Sequence, residues 1–295
     1  MPTDPLIAHI RTLFSPLTPE PTDARPQLGA LEGIRAVLFD IYGTLLISAS
    51  GDIGLARDSN DQTTLGDLFE RAELSAPAPD AATTDAHTLI RDEIKAEHAQ
   101  AQAQGIDYPE VDILLLWHRV LGRLGIHPEA QQVRRLALEY EVLNNAVWPM
   151  PGLEELLEDL GQRGLVLGVV SNAQFYTPLV LEAFLGRPPA ALGLEPDCSA
   201  WSYRLGIGKP SRAIYRPALD GLRQQHGIEP GEVLYIGNDR RNDIWPASAL
   251  GMRTALFAGD ARSLRLREDD PNLADVKADR IVTALAQVPQ LLAKT

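Results

Sequence analysis

Four short segments join chemically capable residues with spacing that would expose them. Asp40-Ile41-Tyr42-Gly43-Thr44 ends an apolar run on a carboxylate, and Gly43 permits a tight turn behind it. A carboxylate so placed meets solvent, and Thr44 offers a hydroxyl and a backbone N–H to an anion. Val170-Ser171-Asn172 sets a hydroxyl and an amide after another apolar run, both able to hydrogen-bond oxyanions. In Gly206-Ile207-Gly208-Lys209-Pro210 a lysine sits in a rigid loop, where its charge can steady a carboxylate and the charge that builds on a substrate. The fourth segment runs from Ile236 through Asn238, Asp239, Arg240, Arg241 and Asn242 to Asp243. Two carboxylates four residues apart, near a third at Asp40, repel unless a cation sits among them, and such hard oxygens suit Mg2+. Each segment alone has a plainer reading. D-x-x-G-T makes turns, Ser-Asn caps helices, a lysine between glycines can be solvated, and an acidic loop can open a helix.

The elements that must position these residues follow from periodicity. Short apolar runs at 34–39, 165–170, 232–236 and 253–257, with a weaker one at 281–282, predict buried parallel strands. Helical spacing covers 153–162, 211–225 and 246–250. Strands alternating with helices predict a doubly wound, Rossmann-like parallel sheet of the α/β class, with ligands beyond the carboxyl ends of its strands. One stretch breaks the alternation: from about residue 48 to 145 only helical patterns occur, at 64–74, 86–104, 111–124 and 128–145, with a loop expected at 76–84. The expected organisation is an arm or linker over 1–33, a core formed by 34–47 and 146–295, and an all-helical cap over 48–145. The arm holds a short amphipathic piece near 7–14 and then Pro16, Pro19, Pro21 and Pro26, which stop helix and strand alike.

Taken together, the four segments, in this order, resemble those of the haloacid dehalogenase-like superfamily of hydrolases. The resemblance covers residues 34–46 and about 148–258, and it accounts for the helical insert as a cap placed directly after the first segment. It implies that Asp40 is a nucleophile forming an aspartyl intermediate that water later hydrolyses. It further implies that Thr44, Ser171 and Asn172 face the substrate, that Lys209 balances charge, and that Asp40, the Tyr42 carbonyl, and Asp239 and/or Asp243 bind Mg2+.

Two departures bear on the subclass. Phosphatases of the superfamily usually carry an aspartate two residues after the nucleophile, as acid and base; here that position is Tyr42. A phenol with an unperturbed pKa near 10 can donate a proton but is a poor base at neutral pH. Tyrosine there resembles the metal-free 2-haloacid dehalogenase branch, whose halide leaves without a proton, and Tyr215 also matches that branch. Against this stand the acids of the fourth segment, whose spacing admits two alignments: Asn238 replaces the first acid, or Asp239 supplies it. Nor does Arg57 or Arg71 occupy a recognisable halide-binding setting. The electrostatic argument favours an Mg2+-dependent phosphatase of a small phosphorylated metabolite. A metal-independent 2-haloacid dehalogenase is the alternative, and a non-catalytic binding or regulatory protein with a compromised site is the third.

Other polar residues stand lower. Trp117 and His118 fall in an apolar helical pattern typical of packing, and Arg240 and Arg241 read as surface residues. Asp107, Tyr108 and Glu110 surround Pro109 and suit a loop dipping toward the site.

Composition narrows the partners. With 40 acidic against 27 basic residues the net charge is −13, leaving no basic excess for nucleic acid or anionic membranes; a small anionic substrate needs only a local cation. No apolar run approaches the ~20 residues that span a bilayer, and the first residues lack a signal-peptide pattern. Cys198 is the only cysteine, so no internal disulfide forms and a reducing, cytoplasmic setting is expected. Oligomeric state is not legible.

Overall fold

A computed structural model of the chain describes residues 4–50, 63–75 and 77–293; Arg57 and residue 76 fall outside them. The first described element is helix α1 (Pro5–Leu13), capped by the Asp4 carboxylate at the Leu6 N–H. Strand β1 (Ala36–Phe39) leads to β2 (Leu46–Ser48), followed by helices α2 (Leu65–Arg71), α3 (Pro79–Ala82), α4 (Ala86–Ala103), α5 (Ile113–Arg123) and α6 (Ala130–Asn144). The chain returns through β3 (Val147–Pro149), α7 (Leu153–Gln162), β4 (Val166–Ser171), α8 (Thr177–Leu185), β5 (Ala200–Trp201), α9 (Ser202–Leu205) and α10 (Arg216–His226). It closes with β6 (Val233–Gly237), α11 (Trp245–Ala249), β7 (Arg253–Phe257) and β8 (Arg280–Val282).

The main sheet has the order β5-β4-β1-β6-β7-β8, with every pair parallel. β1 is central because its apolar residues serve both faces of the sheet. Val37 and Phe39 join one buried cluster, Ala36 and Leu38 the other, as the two-residue repeat of a strand requires. After β1 the chain builds outward through β4 and β5, then crosses to β6 on the opposite flank. The carboxyl end of β1 therefore lies where the direction of winding reverses. Phe39 pairs with both Val169 and Ile236, which carries Asp40, Ser171 and Asn238 to one edge.

The five expected strand segments all form, within two residues at either end. Residue-level patterns missed β5, β2 and β3, which are too short to show a period. The antiparallel β2–β3 pair brackets the insert, and Asn145 stitches its ends by accepting from Ser48 Oγ at 2.9 Å and the Ser50 N–H at 3.2 Å. Helix α8 also went unseen, because its apolar residues run around all sides. Within the expected loop at 76–84 the chain makes the single turn of α3, opened by Pro79.

Residues 4–33, expected as an arm or linker, lie against the body of the protein. Leu6, Ile7, Ile10 and Phe14 enter the main apolar cluster, and Phe14 meets Phe184 of α8 at 5.7 Å between ring centroids. The extended run that follows is held by Thr22 Oγ1 to the Ala258 carbonyl (2.7 Å) and by the Gln27 N–H to the Ile281 carbonyl (2.8 Å). Burying four large apolar side chains offsets the ordering of a proline-rich strap. Glu139, buried on α6, ties this strap to the insert by bonding both His9 (2.5 Å) and Arg71 of α2 (3.3 Å).

The same apolar cluster continues into the insert through Leu68, Phe69, Leu116, Trp117 and Leu136. Among the described residues no helix is long and apolar enough to cross a membrane. Trp117 is fully buried against the edge of Tyr140 (5.7 Å), and its indole N–H finds no acceptor among the described residues, whereas His118 is exposed. Trp117→Ala should therefore cost about 3–5 kcal/mol, and Trp117→Phe much less, since no hydrogen bond is lost. Urea unfolding of the two variants measures the difference, and equal losses would assign the indole N–H a partner.

Candidate active site

Asp40 follows the last residue of β1 and is only 5% exposed. Gly43 turns the chain sharply behind it at φ +83°, and a Cβ there would lie 2.5 Å from Asn238 Nδ2 and 2.6 Å from Ser263 Cβ. Asp40 Oδ1 accepts from Ser171 Oγ at 2.9 Å and from Lys209 Nζ at 2.5 Å. Its other oxygen, Oδ2, has no donor among the described residues. Lys209 Nζ also reaches Asp243 Oδ1 at 2.6 Å, so one buried ammonium bridges two buried carboxylates. Asp40, Lys209 and Asp243, widely separated in the chain, thus meet as the strand order requires.

The surroundings lock this bridge. Asn172 Oδ1 accepts the Lys209 backbone N–H at 2.7 Å, and Tyr235 sets its hydroxyl 3.1 Å from Asp243 Oδ1 and 2.8 Å from the Val170 carbonyl. Asp243 Oδ2 takes the Asp239 N–H at 2.9 Å. The backbone of Gly237 presses so close that a Cβ there would fall 2.3 Å from the Asp243 carboxyl carbon. Burial pulls the Lys209 amine down, but Asp243 and Asp40 outweigh it and hold the ammonium above the ordinary lysine range. Burial raises the Asp243 carboxyl, with Lys209 opposing and Asp40 and Asp239 adding to the rise. Lys209 thus stays charged, and Asp243 is the member that takes a proton as pH falls.

Asp239 departs from the arrangement expected of it. Its carboxylate caps a single π-turn over Arg240–Ile244, accepting the Arg241 and Asn242 N–H groups at 2.8 and 3.2 Å, and it pairs with Arg267 at 2.6 Å. Among the described residues the one set of three His, Cys, Asp or Glu ligand atoms lying within 4.8 Å of one another is Glu195, Cys198 and His226, away from Asp40. Mutual repulsion of Asp40, Asp239 and Asp243 therefore does not demand a metal, because Lys209 and Arg267 already supply two positive charges. Of the two alignments, the geometry favours Asn238 in the first-acid position. Asn238 lines the cavity beside Asp40, and its Oδ1 receives one long bond, from Thr44 Oγ1 at 3.3 Å.

The expected substrate-facing groups are largely committed to the protein. Thr44 is fully buried, its N–H on the Ile41 carbonyl and its hydroxyl on Asn238, and it does not line the cavity. Ser171 bonds Asp40, and Asn172 spends its amide on Lys209. The Tyr42 hydroxyl meets Thr177 Oγ1 at 2.8 Å, and burial, then the charge of Glu141, push its pKa far above the ordinary phenol value. Tyr42 is a neutral wall residue and no base. Tyr215 is buried, donating to the Asn242 carbonyl at 3.0 Å. Two contributors escaped sequence reasoning. Tyr235 reads as an ordinary aromatic in a strand, though a hydroxyl in an aliphatic run was a hint; Arg267 lies in a polar loop far from the motif it serves.

What could hold a metal is a matter of open oxygens. Asp40 Oδ2, the Tyr42 carbonyl and Asn238 Oδ1 are the hard acceptors least used by the protein. Such a set suits Mg2+, which keeps waters and takes few protein oxygens beside a substrate phosphate.

Asp40, Lys209 and Asp243 open onto a cavity of about 850 Å3 whose far wall is built from α4, α6 and the loop around Pro109. That loop is stitched to the lysine loop, Glu110 N–H to the Gly206 carbonyl (3.0 Å) and Gly208 N–H to the Tyr108 carbonyl (2.8 Å). Glu110 bonds Ser202 Oγ at 2.9 Å, and burial raises its carboxyl to about 7 despite that bond and one from the Val111 N–H.

A parallel α/β sheet with a buried aspartate and lysine at the carboxyl end of its central strand, beneath an inserted helical layer, defines a class of hydrolase. The haloacid dehalogenase-like hydrolase family model matches residues 34–251, and the chain belongs to that family. Among curated proteins it is 35% identical over 106 residues to the phospholysine phosphohistidine inorganic pyrophosphate phosphatase of Bos taurus, covering 34% of this chain and 36% of that one. It is 27% identical to the phosphoglycolate phosphatase of Photorhabdus laumondii over 75% of this chain and 79% of that one. Among solved structures, 2-haloacid dehalogenase from Pseudomonas syringae pv. Tomato DC3000 has the same fold (TM-score 0.52, 21% identity, 87% of this chain and 97% of that one).

Two outcomes are expected. Lys209→Met leaves two buried carboxylates without a cation and should cost about 3–5 kcal/mol at neutral pH; the deficit in urea unfolding should shrink on acidification as Asp243 takes a proton. Glu110 has a folded pKa of about 7 against an ordinary 4.5, so between those values the native state holds more protons than the unfolded chain. Stability then falls as pH rises through that window and levels above it. Glu110→Gln should flatten this slope in unfolding measurements from pH 4 to 8, and an unchanged slope would show that Glu110 is not its source.

Proposed function

We propose that this hydrolase is a phosphomonoesterase in which Asp40 Oδ2 attacks phosphorus. The observation that carries the reading is the split role of the Asp40 carboxylate: Oδ1 is held by Ser171 and Lys209, while Oδ2 is left open to the cavity. Attack forms an Asp40–phosphoryl bond as the ester oxygen departs; water then attacks the acyl phosphate, releasing phosphate and restoring the carboxylate. Lys209 supports both steps by offsetting negative charge from a fixed position. Asp40, the Tyr42 carbonyl and Asn238 would hold Mg2+, which supplies charge neutralisation at the phosphoryl oxygens. The phosphatase activities named for the bovine and Photorhabdus relatives support this reading. The helical insert acts as a cap that closes the site from water, and the buried free thiol of Cys198 suits a cytoplasmic enzyme.

Tyr42 sets the substrate preference. With its hydroxyl committed to Thr177, no side chain at that position protonates the leaving group, so esters with good leaving groups are favoured. The same observation supports a second reading, dehalogenation of 2-haloacids, since halide needs no proton.

One set of assays separates them. Phosphate release from p-nitrophenyl phosphate should require Mg2+, stop with a chelator, and fall at least about a thousandfold in Asp40→Asn. Chloride release from 2-chloropropionate without metal, alongside inert aryl phosphate, would replace the phosphatase reading with the second.

A further inference from the structure

Helix α4 carries both signs of charge in sequence, and the fold sorts them by face. Glu93 and Glu97 turn to α5, where Glu93 Oε2 meets Arg123 Nη2 at 2.7 Å and Glu97 pairs with Arg119, while Asp92 is exposed. The opposite stripe, His87, Arg91, Ile94, Lys95, His98 and Gln102, recurs at helical spacing and lines the cavity that contains Asp40. Arg91 donates to Thr88 Oγ1 at 3.2 Å, and among the described residues neither Arg91 nor Lys95 has an ion-pair partner. His87 Nδ1 and His98 Nε2 are buried and have no hydrogen bond among the described residues.

A protein of net charge −13 therefore concentrates cationic and imidazole groups on one wall of the cavity that contains Asp40. Of the carboxylates that line the cavity, Asp107 is exposed and makes no ion pair among the described residues, and the others have partners of their own. Asp40 and Asp243 share Lys209, Asp239 holds Arg267, Glu141 bonds the Tyr176 hydroxyl at 2.7 Å, and Glu110 is tied to Ser202. The charge of Arg91 and Lys95 is thus available to a ligand. A cavity of about 850 Å3 lies in the upper part of the range that takes drug-sized ligands, far beyond a two- or three-carbon acid.

We propose that the substrate is an extended phosphate monoester bearing a second anionic group, phosphate or carboxylate, which Arg91 and Lys95 receive while the scissile phosphate meets Asp40. The proposal rests on the phosphomonoesterase reading for its chemistry, but the second-anion subsite is separable from it. The subsite also accounts for selectivity without a proton donor at residue 42: binding energy from the remote anion positions the ester for attack.

The test uses the whole protein with Mg2+ and two ligand series, alkanediol bisphosphates of graded length and the matching alkyl monophosphates, as inhibitors of p-nitrophenyl phosphate turnover. A parallel series of phosphorylated hydroxy acids tells a carboxylate from a second phosphate. At least one doubly anionic ligand should inhibit at tenfold lower concentration than its monophosphate. That advantage should vanish in Arg91→Ala/Lys95→Ala and persist in Asp92→Asn, on the exposed side of α4. Thermal shifts with the same ligands read the subsite without turnover. Inert p-nitrophenyl phosphate with a surviving bisphosphate advantage would fault the phosphatase reading alone. Bisphosphates no better than monophosphates at any length, or an advantage that survives the double substitution, would overturn the second-anion subsite.

Discussion

One buried ammonium organises this site. Lys209 lies within 2.6 Å of both Asp40 and Asp243, so a single ammonium offsets the cost of burying two carboxylates. The fold around it is arranged to keep that ammonium fixed. Asn172 grips its backbone, Tyr235 steadies Asp243, and the close approach of Gly237 leaves the Asp243 side chain no other position. Buried ion pairs are poor sources of net stability, so the triad is better understood as geometry preserved for chemistry than as glue.

The same economy of charge explains why the site differs from a bare cluster of acids. Sequence spacing puts three aspartates near one another and suggests a metal as the necessary counter-charge. In the folded chain the counter-charges are already covalent parts of the protein, one from the loop before Pro210 and one from Arg267. The fold therefore needs no divalent ion to offset these carboxylates.

Much of the architecture was legible because it rests on patterns that survive in one dimension. Aliphatic runs at β1, β4, β6 and β7 are both strand formers and strand cores, and the residues that follow each run are necessarily at one edge. Asp40 and Asp243 are legible for that reason, whereas Lys209 is legible only as a lysine held between Gly208 and Pro210. What could not be read were properties decided by partners. Thr44, Ser171 and Asn172 have the right groups for an oxyanion, yet whether each is spent on protein or left for ligand depends on tertiary neighbours. Tyr235 is indistinguishable in sequence from a packing aromatic, and the strands β2 and β3 gain their identity only from each other. The N-terminal strap reads in sequence as an arm or linker, because its prolines mask the few apolar anchors that dock it.

The backbone hydrogen bonds between the Pro109 loop and the Gly206–Gly208 loop have a mechanical corollary. Should the helical layer swing away to admit a ligand, either those bonds snap or the Lys209 loop is dragged along with it. In the first case the open form forfeits the brace behind its key cation; in the second, opening dismantles the Asp40–Lys209 contact itself. Under both, Lys209 is fully braced beside Asp40 only while the door is shut, so the geometry of the site is tied to the position of the helical layer.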